Sequence, residues 1–66
     1  MKHMRRYVAR LVLVTTAGGV FRGTIHSADA DFLTLEHAST LGTAQDGPLD
    51  GLVIIPAAAV SWVQVV

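Results

Sequence analysis

The chain has 66 residues and no cysteine, and its five Lys and Arg side chains balance five Asp and Glu side chains. This length allows a single domain, and the lack of cysteine excludes a disulfide framework and a thiolate zinc site. A formal net charge of zero excludes a general attraction to nucleic acid, so such binding would need a local basic patch. Because 52% of the residues are hydrophobic and only 15% are charged, the composition favours self-association.

Residues 1–6 are predicted to form a basic N-terminal arm, which is compatible with a short helical turn. Four of the five positive side chains lie in or near it: Lys2, Arg5, Arg6 and Arg10. The arm is either a nucleic-acid contact or a solvated, frayed terminus that keeps an apolar protein soluble. Residues 1–3 are also open to interpretation as a cloning scar, with Met4 as the natural start.

Residues 7–66 read as one all-β domain of short antiparallel strands. Apolar runs predict a strand at Tyr7–Thr15, a second at Val20–His26 and a third at Phe32–Glu36. Ala17–Gly19 supplies a tight hairpin turn, and Ser27–Asp31 supplies a turn whose aspartates bond to nearby backbone. No helix fits between these strands, and only antiparallel strands can be joined so closely.

The second half continues this pattern after a polar stretch. Ala38–Gly51 is predicted to be a variable loop. Leu52–Ile55 lacks polar alternation and is predicted to be a strand buried on both faces. Pro56–Ala59 predicts a short turn, and Val60–Val66 the last strand. Gly23, inside the second strand, predicts a sharp bend, so the fold class is a small, strongly bent five-stranded antiparallel barrel.

Polar side chains that could carry chemistry are few and isolated. His26 and His37 lack the spacing of metal ligands and are interpreted as solvated residues. Asp29 and Asp31 are better explained as turn-capping residues than as an acid/base pair. No nucleophile–base arrangement or cofactor fingerprint is present, so we expect no enzyme, cofactor or metal. The longest apolar run is broken by Pro56, so we expect no membrane span and a cytoplasmic protein.

Specific residues of the first half resemble the first Sm motif of the Sm and Sm-like (LSm) proteins, the group that includes bacterial Hfq. They are the turn glycine Gly18, the segment Phe21–Ile25 with its central Gly23, and then Asp29. Val53–Val60 is similar in pattern to the second Sm motif, a short strand pair around a small turn. The resemblance runs from about Leu11 to the end of the chain, and the variable loop 38–51 falls where the family varies.

The resemblance implies a bent barrel that assembles into a ring, a hexamer or heptamer, through its fourth and fifth strands. It also implies single-stranded RNA as a partner. The chain departs from the family at the RNA pocket, where an asparagine usually follows the aspartate and a charged pair occupies the second turn. Here Asp31–Leu33 contains no asparagine, and Pro56–Ala57 occupies that turn. Phe32 is the nearby aromatic side chain that could stack on a base.

Two sets of residues are therefore assigned to the expected surfaces. The predicted nucleic-acid contacts are Lys2, Arg5, Arg6, Arg10, Arg22 and Phe32. The predicted subunit interface comprises Leu52, Val53, Ile54, Ile55, Trp62, Val63 and Val65.

Three functions remain open on the sequence. The first is an RNA-binding ring that uses the basic arm and a ring face instead of the usual pocket. The second is a ring-forming protein-assembly module without RNA binding, such as a phage-encoded or bacterial accessory protein. The third is a small SH3-like barrel that binds a peptide or another protein.

Overall fold

A computed structural model of the chain describes residues 2–42 and 47–66, with Lys2 described by its backbone alone. The elements in chain order are a 3₁₀ helix at Lys2–Tyr7, β1 at Leu11–Thr16, β2 at Gly19–Ala28, β3 at Phe32–Leu41, β4 at Gly47–Pro48, β5 at Val53–Pro56, a second 3₁₀ helix at Ala57–Ala59 and β6 at Val60–Val65. The all-β class is confirmed. No helix in the described ranges is long and apolar enough to cross a membrane.

All strand pairs are antiparallel, as the short connections predict. The sheet runs in the order β4, β3, β2, β1, β6, and β5 also pairs with β3. Both β4 and β5 pair with the edge of β3 that does not face β2. The first residues of β3, Phe32–Leu35, pair with β5, and Ser39 and Thr40 pair with β4. The described strands thus curl into a small bent barrel in which β5 pairs with β3 and β6 pairs with β1.

The core is formed by one face of four strands. Val12 and Val14 of β1 are fully buried, while Leu11 and Leu13, which alternate with them, are only partly covered. The buried cluster consists of Val12, Val14, Ile25, Ala28, Leu33, Leu35, Ala38 and Ile55. Met4 and Tyr7 of the first 3₁₀ helix pack against this cluster, so the N-terminal residues are anchored to the barrel by apolar contacts.

Both predicted hairpin turns are present, although Ser27 and Ala28 belong to β2 and not to the second turn. In the first, the Thr16 hydroxyl donates to the carbonyl of Gly19 at 2.9 Å and accepts from the N–H of Gly18 at 3.1 Å. Gly19 has a φ of 136°, a backbone conformation that residues with a side chain rarely adopt. In the second turn, Asp29 caps the backbone through its carboxylate. The predicted capping role of Asp31 is wrong, because Asp31 takes part through its backbone N–H and carbonyl groups. The Pro56–Ala59 turn is present as the second 3₁₀ helix.

Several predicted boundaries are wrong. The first strand begins at Leu11 and not at Tyr7, because the helix and a turn with Ala9 at a φ of 71° precede it. The third strand continues past Glu36 to Leu41, so the first residues of the predicted loop 38–51 are strand, and Ala38 is buried. Gly47–Pro48 adds a sixth, two-residue strand in the same predicted loop, and residues 43–46 lie outside the described part.

Burial of the fourth predicted strand also differs from expectation. Within β5, Ile55 is 4% exposed and Val53 is partly buried, whereas Ile54 is 60% exposed. The strand is therefore covered on one face in this chain, because no element of the described residues packs against the side chain of Ile54. Pro56 is the last residue of β5 and does not end it earlier, which suits a proline on an edge strand.

Candidate nucleic-acid and assembly surfaces

The β2–β3 turn is held by a single carboxylate. One Asp29 carboxylate oxygen accepts from the backbone N–H groups of Asp31 and Phe32, each at 2.8 Å. The N–H of Asp31 and then that of Phe32 lower the pKa of Asp29, and Arg5 lowers it further. Asp29 is therefore a turn-capping anion at neutral pH, as the sequence predicts.

The β5–β6 turn lies directly against this β2–β3 turn. The N–H of Ala57 donates to the carbonyl of Asp31 at 2.7 Å, and Pro56 lies opposite Phe32 in the strand register. The side chain of Phe32 is 46% exposed, so an aromatic face is available where the two turns meet. Pro56 and the alanines of the second turn carry no side-chain hydrogen-bond donor or acceptor. A base could therefore stack on Phe32 but would find no polar side chain to contact in the Pro56–Ala59 turn.

Apart from Lys2, whose side chain lies outside the described part, the predicted basic residues divide between the segment that precedes β1 and the outer face of β2. Arg5 and Arg6 are exposed on the first 3₁₀ helix, and Arg5 is close enough to Asp29 to lower its pKa. Arg10 is exposed, and its backbone is bonded to β2, since its carbonyl accepts from the N–H of Ile25 at 3.0 Å. Arg22 is exposed on the outer face of β2, opposite Leu13 and Ser39. The structure thus brings Arg5 towards the Asp29 turn and places Arg22 on the wall of the barrel.

One edge of β5 is not paired within the described chain. Because Ala57 donates to Asp31, the facing pair Phe32–Pro56 is a non-hydrogen-bonded pair. The next pair, Leu33–Ile55, is then a hydrogen-bonded pair, and alternation turns the backbone groups of Ile54 away from β3. The N–H and C=O of Ile54 therefore point to a free edge.

The same reasoning applies to β6. The N–H of Val66 donates to the carbonyl of Leu11 at 3.0 Å, which makes Val12–Val65 a non-hydrogen-bonded pair. Gln64 and Trp62 then bond to β1, and the backbone groups of Val63 and Val65 point to the opposite side. The described chain thus carries a free edge on β5 and another on β6, in addition to the outer edge of the two-residue β4.

An apolar groove lies beside the free edge of β5. Its volume is about 300 Å³. The lining residues come from the β1–β2 turn and from β5 with its following turn: Thr16, Ala17, Gly18, Phe21, Val53, Ile54, Ile55, Pro56 and Ala59. Ile55 forms part of the lining while remaining almost fully buried.

The residues predicted as a subunit interface differ in exposure. Leu52, Ile54 and Trp62 are exposed by 51%, 60% and 68%. Val53, Val63 and Val65 are partly buried against the core. Ile55 belongs to the core cluster and its backbone groups face β3, so in this chain it could contribute to an interface only through the surface that lines the groove. Sequence reasoning missed Val66, which is 61% exposed, and it missed Phe21 as a groove residue.

The two histidines of interest lie at separate positions on the sheet. His26 Nδ1 lies 3.5 Å from a carboxylate oxygen of Glu36, and both side chains are well exposed. His37 has a φ of 51° at a bulge in β3. Within residues 2–42 and 47–66, no group of three or more potential ligands is arranged to hold a metal ion.

Comparison with solved structures identifies the fold. A heptameric archaeal Sm protein superposes with a TM-score of 0.83 and 20% sequence identity, over 100% of this chain and 98% of that one. The chain has the Sm-like fold. A chain in the crystal structure of the NatC complex bound to CoA also matches this Sm-like fold, with a TM-score of 0.78 and 20% identity, over 89% of this chain and 78% of that one. No protein-family model and no curated protein gives a significant match to the sequence.

Proposed function

We propose that this Sm-like chain assembles into a ring and that the ring binds single-stranded RNA. The observation that carries the proposal is the pair of free edges on one Sm-like barrel. An unpaired strand edge is a template for pairing with another chain. The archaeal protein with the same fold is described as heptameric, which supports assembly of this kind.

Pairing between the two edges would be head-to-tail. The free backbone groups of Ile54 on β5 would pair with those of Val63 or Val65 on β6 of the next copy. Because the two edges belong to different parts of the surface, each copy keeps one edge of each kind available, and a contact of this type closes into a ring when the rotation allows. The exposed side chains of Leu52 and Ile54 would be covered in the same step.

RNA binding is supported by the end of the barrel where the two turns meet. The exposed ring of Phe32 offers a stacking surface that accepts any base, and Arg5 and Arg6 offer positive charge for the phosphates. A ring repeats these side chains once per copy, so a chain of zero net charge can still present a continuous basic and aromatic face.

The second candidate is a ring-forming protein-assembly module that does not bind RNA. It is favoured by the Pro56–Ala59 turn, which has no polar side chain to contact a base, and by the negative charge of Asp29 beside it. The occurrence of the same fold in the NatC complex is consistent with this role. Neither function involves catalysis.

One experiment tests both levels of the proposal. Native mass spectrometry of the protein purified from cells gives the number of copies, and the ratio of absorbance at nucleic-acid and protein wavelengths reports bound RNA. Titration with fluorescent oligo(U) and oligo(A) at low salt then measures affinity. A ring that binds these oligonucleotides is expected. A ring that is inert to both would favour the assembly module, and a monomer would contradict both functions.

A further inference from the structure

Trp62 is the single tryptophan of the chain. Its side chain is 68% exposed, more than any other large hydrophobic side chain among the described residues. Tryptophan is often a binding anchor, because burial of its large ring removes much apolar surface from water. A single exposed residue is common in monomers, so its meaning depends on what could cover it.

Strand alternation decides which surface of a neighbouring copy Trp62 would meet. In β6, the side chains of Trp62 and Gln64 point outwards, while Val63 and Val65 point towards the core. In β5, Ile54 points outwards, while Val53 and Ile55 point inwards. Directly opposite residues of an antiparallel pair project to the same face of the sheet.

Across an edge pairing, an outward-facing side chain of one copy therefore shares a face of the sheet with an inward-facing side chain of the other copy. If Ile54 pairs with Val63 of the next copy, Trp62 of that copy lies opposite Ile55 and projects to the groove side of β5. A shift of the register by two residues keeps this parity, so Trp62 stays on the groove face in every register that uses the free backbone groups. The same parity places the side chain of Ile54 towards the core side of the neighbour's β6.

The groove beside the β5 edge is suited to an aromatic side chain. It is open, has a volume of about 300 Å³ and is lined by the ring of Phe21 and by the aliphatic residues of β5. Ala17 and Ala59 are small side chains on its border, which leave it unfilled. Phe21 could pack against an incoming indole ring edge to face or offset.

We propose that Trp62 of each copy occupies the apolar groove of its neighbour, between the β1–β2 turn and β5. This inference rests on the proposed ring and deepens it, since the partner copy completes a site that one chain leaves open. The occupant is a second copy of this chain, because its own β6 has the free edge that β5 requires and presents the tryptophan to the correct face.

The single tryptophan makes the test direct. Emission spectra and acrylamide quenching of the wild-type protein are recorded over a dilution series, and the number of copies at each concentration is measured by analytical ultracentrifugation. In the assembled state, Trp62 is expected to emit at shorter wavelength and to resist quenching. On dissociation, the emission should shift to that of a solvated indole.

Three variants complete the test. Trp62→Ala is expected to weaken assembly by at least about tenfold, and Trp62→Phe by less, because a phenyl ring still fills part of the groove. Ala59→Phe, which fills the groove from its own side, should expose Trp62 to the quencher. Val8→Ala is the matched control, since Val8 is also exposed, by 45%, and lies outside both edges. Far-UV circular dichroism verifies that each variant is folded.

The outcomes separate this inference from the ring itself. Oligomers whose Trp62 remains fully accessible to acrylamide, or a Trp62→Ala variant that assembles as tightly as the wild type, would overturn the groove assignment and leave the ring intact. A protein that is monomeric at every concentration would overturn the ring and the groove assignment together.

Discussion

At Gly23, the backbone of β2 passes close to β3. A Cβ atom at this position would lie 3.2 Å from the Cα and Cβ of Ala38 and 3.2 Å from the carbonyl oxygen of Glu36. The register explains the contact, since Gly23 alone faces the two residues between Glu36 and Ser39. This is a β-bulge, which bends the sheet and lets a small barrel curl. The bend that Gly23 predicts in β2 thus occurs opposite a bulge in β3.

We predict that Gly23→Ala lowers the free energy of unfolding by about 1–3 kcal/mol, because the added methyl group must displace backbone atoms. Urea denaturation at a fixed protein concentration measures the change. Gly47→Ala is the matched control, since a Cβ there would have no atom within 4 Å outside its chain neighbours. If the two variants were equally stable, the close approach at Gly23 would not limit the fold.

Among the elements, β5 and β6 differ from β1, β2 and β3 because each of them has one partner and one free edge, and both are longer than the two-residue β4. Their apolar side chains extend beyond what the barrel can cover, as the exposure of Ile54 and Trp62 shows. Strand edges of this kind are usually protected by charged residues or proline in monomeric proteins. Pro56 protects only the end of β5, so the remaining edge can accept a strand.

Ile54→Lys is predicted to abolish assembly while the barrel remains folded. The side chain is 60% exposed in the single chain, so lysine is tolerated there, but a charged ammonium group at the contact would be buried in an oligomer. Native mass spectrometry should give a monomer, and circular dichroism should give an unchanged β spectrum. Val8→Lys is the control: it also replaces an exposed aliphatic side chain by lysine, but at a position outside β5 and β6. It should leave the number of copies unaltered. An oligomeric Ile54→Lys protein would contradict edge pairing.

For the molecule as a whole, charge is balanced in number but not in position. Arg5 and Arg6 lie on a helix that packs against the barrel end, whereas Arg22 lies on its outer wall. Repetition around a ring would turn each of these positions into a band of positive charge. Which band binds the phosphates depends on whether RNA follows the face of the ring or its rim.

Replacement of both Arg5 and Arg6 by alanine is predicted to weaken oligonucleotide binding similarly for all sequences. Removal of these charges should also flatten the plot of log affinity against log salt concentration, by about 1 for each phosphate that is no longer neutralised. Fluorescence anisotropy at several salt concentrations measures both effects. If Arg22→Ala produced the flattening and the double variant did not, RNA would follow the outer wall of the barrel.

Local chemistry along the chain was sufficient to predict the strand class and most turns. Gly19 provides the positive φ of the first hairpin, and Asp29 bonds to the backbone two and three residues later. These interactions depend on residues adjacent in sequence, so they can be read without a structure. The requirement at Gly23 is different, because it comes from the approach of Ala38 and Glu36 on β3. The resemblance of Gly18, Gly23 and Asp29 to the first Sm motif agrees with the fold comparison.

Only the tertiary structure decided where the strands end and which side chains remain uncovered. The polar residues after Glu36 suggest a loop, yet pairing of Arg22 with Ser39 and of Phe21 with Thr40 extends β3 to Leu41. The unbroken apolar run at Val53–Ile55 suggests burial on both faces, yet this chain supplies a layer for one face only. Backbone pairing and burial depend on residues distant in sequence, and so do the free edges and the groove that would receive Trp62.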